Sequence, residues 1–225
     1  MTTTPTPLRS VPAWSSRRAW IVLLVVATAA LAVDLWTKHA AFERVAGRPV
    51  QIERAAVLAI SASDPRMIGR LVPDHPPMVV VPRLLDFTLV LNPGAVFGMG
   101  AGRRMFFMAF TLATVGFAVF MFARWTHAHE WAAHGAIGLL VAGGLGNFYD
   151  RWVYACVRDF IHPLPGVHFP FGWQPFGSGG QVWPWVSNVA DAFLIVGIAV
   201  LAIQFWKQGR ATNSQMANGK EQTAK

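Results

Sequence analysis

Charge is scarce in this sequence. Asp, Glu, Lys and Arg make up only 13% of its 225 residues, about half the roughly 25% of a soluble domain. Carboxylates are rarer still, 11 in all. A single cysteine, Cys156, excludes an internal disulfide framework and any cysteine-based metal cluster. No adjacent base is visible that would make it a nucleophile, so it reads as small buried filler. What the chain has instead is apolar surface: 54% of it is hydrophobic, with a mean hydropathy of +0.40. Such a chain is built for lipid. The net charge of +8 raises the question of nucleic acid, but the basic residues are scattered and flank apolar runs, which fits membrane anchoring. Nucleic acid is not expected as a partner. Ten tryptophans, many near segment ends, suit interfacial belts.

Four apolar segments, about 19–37, 105–123, 131–149 and 189–206, are long enough to span a bilayer. Ala30-Leu31-Ala32 resembles a signal-peptide cleavage site. Because three more spans follow, the first is expected to be retained. Residues 1–16 and 207–225 read as polar tails, the first of them disordered. The rest, 17–206, reads as one membrane domain with outer loops at about 39–104 and 151–187. Four spans put both termini on one side. Arg9, Arg17, Arg18, Arg124, Lys207, Arg210, Lys220 and Lys225 would face the cytoplasm, while Arg103–Arg104 pull the other way.

In the first outer loop, the part ending near Pro77 shows no clear period. DFTLVLN then ends at the turn signal Asn92-Pro93-Gly94, which predicts a short extended sheet on the membrane surface. The stretch 161–187 is rich in Pro, Gly, Trp and Phe, and is expected to rest on the bilayer or line a substrate groove. His127 and His129 read as a solvated turn rather than metal ligands, since no other ligands lie near. His134 reads as an interfacial side chain.

The polar residues converge. The first span ends outward at Asp34 and Lys38. The third ends at Asn147, Asp150 and Arg151, with Asp159 just beyond, and the fourth begins at Asn188 and Asp191. Asn147 and Arg151 share a helical face, as do Asn188 and Asp191. Four of the 11 carboxylates therefore gather at one membrane boundary, where ionisable groups are costly and functional. Two close aspartates share a proton, so one can take a proton from water while the other donates to a carbonyl. That chemistry needs no metal or cofactor, and none is expected. A structural role competes for Asp34, paired with Lys38 at i+4, and is preferred for Asp150 beside Arg151. Asp159 and Asp191 are left as the catalytic pair.

The motifs carry a resemblance. DLWTK resembles the D-x-x-S/T-K motif of lipoprotein signal peptidase (signal peptidase II). LNPGAVFG resembles that family's N-x-G-x-A/S-F/W stretch, GGLGNFYDR its G-N-x-x-D-R signature, VRDF its V-x-D-F and SNVADAF its F-N-x-A-D segment. The motifs occur in family order and cover most of the chain from about 20 to 206. The resemblance implies a mainly α, four-transmembrane-helix bundle in the bacterial inner membrane. A small extracytoplasmic β-subdomain and a surface loop over the site would complete the fold. It implies an aspartyl endopeptidase that cuts diacylglyceryl-modified prolipoproteins before the lipid-bearing cysteine. Asp159 and Asp191 would be the catalytic dyad. Asn147, Arg151 and Asn188 would position substrate and dyad, with support from Asp34, Lys38, Asn92 and Gly94. Membrane lipid would flank the site, a globomycin-type cyclic peptide would occupy it, and the protein is expected to be a monomer.

Three departures stand out. Ser187 replaces the family's phenylalanine before Asn188, and both the first outer loop and the Asp159–Asp191 gap are long. Two other classes compete: an ion or proton carrier using intramembrane carboxylates, which should place them near the midplane, and an inactive relative that binds lipoproteins.

Overall fold

The computed structural model describes residues 11–94, 103–175 and 179–223, with side chains described up to residue 210. Helix α1 runs Arg17–Arg44, its first turn capped by the Ser16 hydroxyl, which accepts from Ala19 N at 3.3 Å. Its 28 residues reach about 42 Å, beyond the roughly 30 Å of hydrocarbon. The last turns therefore carry Asp34 and Lys38 at the end of the apolar stretch and continue past Thr37, where the sequence reading stopped. Helix α3, Arg104–Trp125, turns Phe106, Phe110, Phe117 and Phe120 outward. Helix α5, Val189–Thr223, extends well past the expected end at Trp206, so the polar tail continues the helix.

Helices α1, α3 and α5 are long and apolar enough to cross a membrane. The central helix α4, Trp131–Val153, packs on all three of them and is not in that set. Its glycines and His134 dilute its hydropathy because it faces protein rather than lipid. The glycines set the packing distance: a Cβ at Gly143 would stand 2.6 Å from the carbonyl oxygen of Ala190 on α5. Small residues admit such backbone approach. His134 is not interfacial as expected. It is fully buried, edge-on to Phe122, where α4 meets α3.

The first outer loop holds more order than its sequence suggested. Helix α2, Arg54–Ser63, is followed by a 3-10 stretch, Pro65–Leu71, whose first turn is capped by Asp64 Oδ1 accepting from Arg66 N at 2.9 Å. Strands β1, Met78–Val81, and β2, Leu85–Asn92, pair antiparallel as part of the short sheet expected here. A third strand, β3, Val157–Pro163, comes from the far side of α4 and pairs antiparallel with β2, giving the order β1-β2-β3. The outer loop expected at about 151–187 therefore begins with a strand. The sheet rests on an apolar core of its own, formed by Phe42, Val57, Ile68, Leu89, Leu91, Cys156 and Phe160 among others. Cys156 is buried filler, as expected.

Candidate active site

Two elements deliver the central carboxylates. Antiparallel register sets Asp159 on β3 opposite Val90 and Arg158 opposite Leu91. Successive strand residues point to opposite faces, so Asp159 and Arg158 part company. Asp191 sits in the first turn of α5, held by a reciprocal cap. Asn188 N donates to Asp191 Oδ2 at 3.2 Å, and Asp191 N donates to Asn188 Oδ1 at 3.2 Å. This is the capping-box arrangement, with Asn and Asp in place of the usual Ser/Thr and Glu.

Asn188 also joins the two carboxylates. Its side-chain Nδ2 donates to Asp159 Oδ1 at 2.6 Å. The other oxygen, Asp159 Oδ2, accepts from Asn92 Nδ2 at 3.0 Å. Asn147 on α4 completes the ring: its Nδ2 donates to Asp191 Oδ1 at 2.9 Å, while its Oδ1 accepts from Asn188 Nδ2 at 3.1 Å and Lys38 Nζ at 3.0 Å.

Behind this ring lies a buried charge layer. Lys38 Nζ is 2.9 Å from Asp34 Oδ2 and 3.4 Å from Asp150 Oδ2. Asp34 Oδ1 accepts from Ala190 N at 2.8 Å, which ties α1 to the start of α5. Asp150 does not pair with Arg151 as expected; adjacent helical residues do not face each other. Its partner across the elements is Arg158, whose backbone N, Nε and Nη2 donate to it at 3.0, 3.2 and 2.8 Å. The sequence shows Arg158 in this polar cluster, just before Asp159, but does not name its partner; the fold supplies Asp150. Arg151 instead clamps the turn after β2, with Nη2 donating to Gly94 O at 2.7 Å and Nη1 to Asn147 O at 3.2 Å. Gly94 N in turn donates to Asn92 Oδ1 at 3.0 Å. Residues 95–98 of the LNPGAVFG motif lie outside the described residues.

All ten residues singled out from sequence thus meet in one hydrogen-bonded and ion-paired network. Its electrostatics are uneven. Asp159 is only 2% exposed, and burial, with the nearby Asp191 charge, pushes its carboxyl up to about 7 against the pull of Asn188 and Asn92. Such a carboxyl holds a proton near neutral pH. Burial pushes the Cys156 thiol up to about 12, far from a nucleophilic thiolate. Among the described residues, no group of three or more His, Cys, Asp or Glu is placed to hold a metal ion. His127 Nδ1 lies 3.7 Å from Glu130 Oε1, in the α3–α4 connector.

Comparison with known proteins supports a family assignment. The model described as signal peptidase (SPase) II matches residues 26–207. A lipoprotein signal peptidase of Streptococcus pyogenes serotype M6 is 33% identical over 128 residues, covering 57% of this chain and 73% of the relative. One from serotype M3 (strain SSI-1) is 32% identical over the same length. A solved bacterial membrane enzyme aligns with a TM-score of 0.56 at 25% identity, covering 83% of this chain and 88% of that one. A second aligns at 0.54 and 23% identity, over 81% and 91%, which is a likeness of fold.

Proposed function

Because this chain belongs to the signal peptidase II family, we propose that it removes signal peptides from diacylglyceryl-modified prolipoproteins. It cuts before the lipidated cysteine, using water activated between Asp159 and Asp191. The observation that carries this reading is the single Asn188 side chain and cap that join a buried carboxyl on β3 to a carboxylate on α5. No other pair of aspartates in the network is free of a cation within 4 Å, since Asp34 and Asp150 both meet Lys38.

The two carboxylates take different roles. Asp159, with its raised pKa, begins as the acid. Asp191 stands at the positive end of the α5 dipole and accepts N–H bonds from Asn147 and Asn188, and it begins as the base. Asp191 takes a proton from water as the oxygen attacks the scissile carbonyl carbon, and Asp159 gives its proton to the carbonyl oxygen. Collapse of the tetrahedral intermediate breaks the C–N bond. Asp191 then protonates the leaving amine, and Asp159 recovers its proton from a hydroxyl of the gem-diol as that oxygen re-forms the carbonyl of the product acid. Arg151 holds the Gly94 turn beside the substrate path. Lys38 and Asp34 fix Asn147 and the start of α5.

The same proposal extends to topology, inhibitor and assembly. Helices α1, α3, α4 and α5 form a four-span bundle within 17–206, with both tails cytoplasmic and the dyad at the outer leaflet. There the scissile bond reaches the aspartates without lifting the diacylglyceryl group out of the bilayer. The outward phenylalanines of α3 line the acyl chains. A globomycin-type cyclic peptide competes with substrate, and the protein acts as a monomer.

The test is cleavage of a lipid-modified prolipoprotein by the purified protein in vesicles, beside Asp159→Asn and Asp191→Asn. The parent should cut and both folded variants should not. A folded parent that leaves the substrate whole, while a known lipoprotein signal peptidase cuts it, overturns the reading.

A further inference from the structure

The 31 residues between Asp159 and Asp191 include no Asp, Glu, Lys or Arg. A water-facing loop of that length would be about a quarter charged. The stretch is nevertheless ordered as an arm with two limbs, 167–175 and 179–183. Phe169 N donates to Gly180 O at 2.8 Å, Val182 N donates to Val167 O at 2.8 Å, and His168 bridges to Gln181. The root is tied as firmly. Leu164 N donates to Leu84 O at 2.9 Å, and Ser187 exchanges backbone bonds with Ile161 at 2.8 Å in each direction.

The arm spends this order on exposing aromatics. Phe171 is fully exposed, and Trp173 is more than half exposed with Phe169 edge-on to it at 5.0 Å. Phe171 has φ 60 and Gly172 φ 70. Glycine adopts that conformation freely, whereas a bulky residue there is a genuine outlier. The turn therefore holds a large apolar side chain outward at a cost in backbone strain, where Asn or Gly would make the same turn without it. Strain of this kind gathers at sites that grip a ligand.

The root shows where the tip can reach. The return limb leads back to Ser187 at the root and through Asn188 directly into α5, a helix apolar enough to span. We propose that the arm is a membrane-docking element whose Phe171 and Trp173 enter the headgroup region of the outer leaflet. Uncharged, aromatic segments next to a span suit that interface, and an aromatic patch without charge offers nothing to a charged protein partner. Docking there steadies β3, and with it Asp159, at a fixed depth. The orientation rests on the function proposed above.

The test uses the full chain in vesicles of zwitterionic phospholipid, with Cys156 replaced by Ala and a spin label attached at Phe171→Cys, Trp173→Cys or the exposed Arg66→Cys. Labels at 171 and 173 should relax more with oxygen, which concentrates in lipid, than with a water-soluble nickel chelate, and the label at 66 should do the reverse. Labels at 171 and 173 that match the one at 66 overturn the proposal, whether water or another protein surface is what they meet. The measurement needs no catalysis, so it fails or stands apart from the peptidase reading. A second readout is Phe171→Ser/Trp173→Ser. Cleavage of vesicle-borne substrate should fall at least fivefold while cleavage in detergent micelles stays at the parent rate. Equal rates in vesicles overturn the docking role.

Discussion

Asn188 and Asp191 cap one another across the first turn of α5, each backbone N–H donating to the other's side chain at 3.2 Å. The same asparagine donates from its side chain to Asp159 at 2.6 Å. One residue therefore starts the helix and sets the spacing of the two carboxylates, and the two jobs can be separated. Asn188→Ser keeps a capping oxygen but is too short to reach Asp159. Both variants should melt below the parent, because Asp159 and Asn147 lose a buried donor, but Asn188→Ser should be about 1 kcal/mol more stable than Asn188→Ala, the worth of the retained cap. Both should lose about a hundredfold in kcat, the usual cost of one positioned donor. Parent-like kcat in Asn188→Ser would remove Asn188 from the site.

Stability should carry the signature of the buried Asp159. Its carboxyl moves from an ordinary 3.8 to about 7 on folding. Between these values the folded chain keeps a proton that the unfolded chain has released, so stability falls as pH rises from about 4 and the deficit is complete above 7. Asp159→Asn removes that ionisation. The variant should melt several degrees above the parent at pH 8, and the gap should close at pH 4. Melting curves in detergent at the two pH values decide it.

Activity should follow the same group with the opposite requirement. The pair works with one proton between its members, and the alkaline side loses that proton as Asp159 ionises near 7. Well above this value kcat should fall about tenfold per pH unit. A profile flat to pH 9 would show that Asp159 does not act as the acid.

Lys38 faces Asp34, Asp150 and Asn147 with no exposure to water. Lys38→Met leaves buried carboxylates without their cation and should cost about 3–5 kcal/mol. Adding Asp34→Asn should restore part of that loss, because Asp150 retains Arg158. Double-variant melting no better than the single would mean the charge layer is not one unit.

Two glycines of α4 predict opposite outcomes. A Cβ at Gly146 would collide with Asp34 Oδ2 and stand 3.0 Å from its Cγ, whereas one at Gly135 meets only Val26 Cγ2 at 4.0 Å. Gly146→Ala should destabilise by about 1–3 kcal/mol and lower activity by shifting Asp34. Gly135→Ala should be neutral or gain up to about 1 kcal/mol of helix propensity. Melting and cleavage measured on both variants check the pair.

By itself the sequence determined which residue types are available and where apolar runs long enough to span occur. It also set Asp34, Asn147, Asn188 and Asp191 at or near the ends of such runs, with Asp159 ten residues beyond the third. Spacing of three or four along a helix is local information, so Asp34–Lys38 and Asn188–Asp191 were legible as pairs. Tertiary structure decided everything that joins separate elements. Asp150 pairs with Arg158 rather than its neighbour Arg151, because β3 folds back along the end of α4. His134 is buried against Phe122 rather than interfacial, because α3 covers that face of α4. VRDF becomes a strand only because β2 offers it an edge, and no periodicity in four residues announces a partner 67 positions away. A buried charge must find a partner, but which one it finds depends on which elements meet, and that is settled by packing across the whole chain.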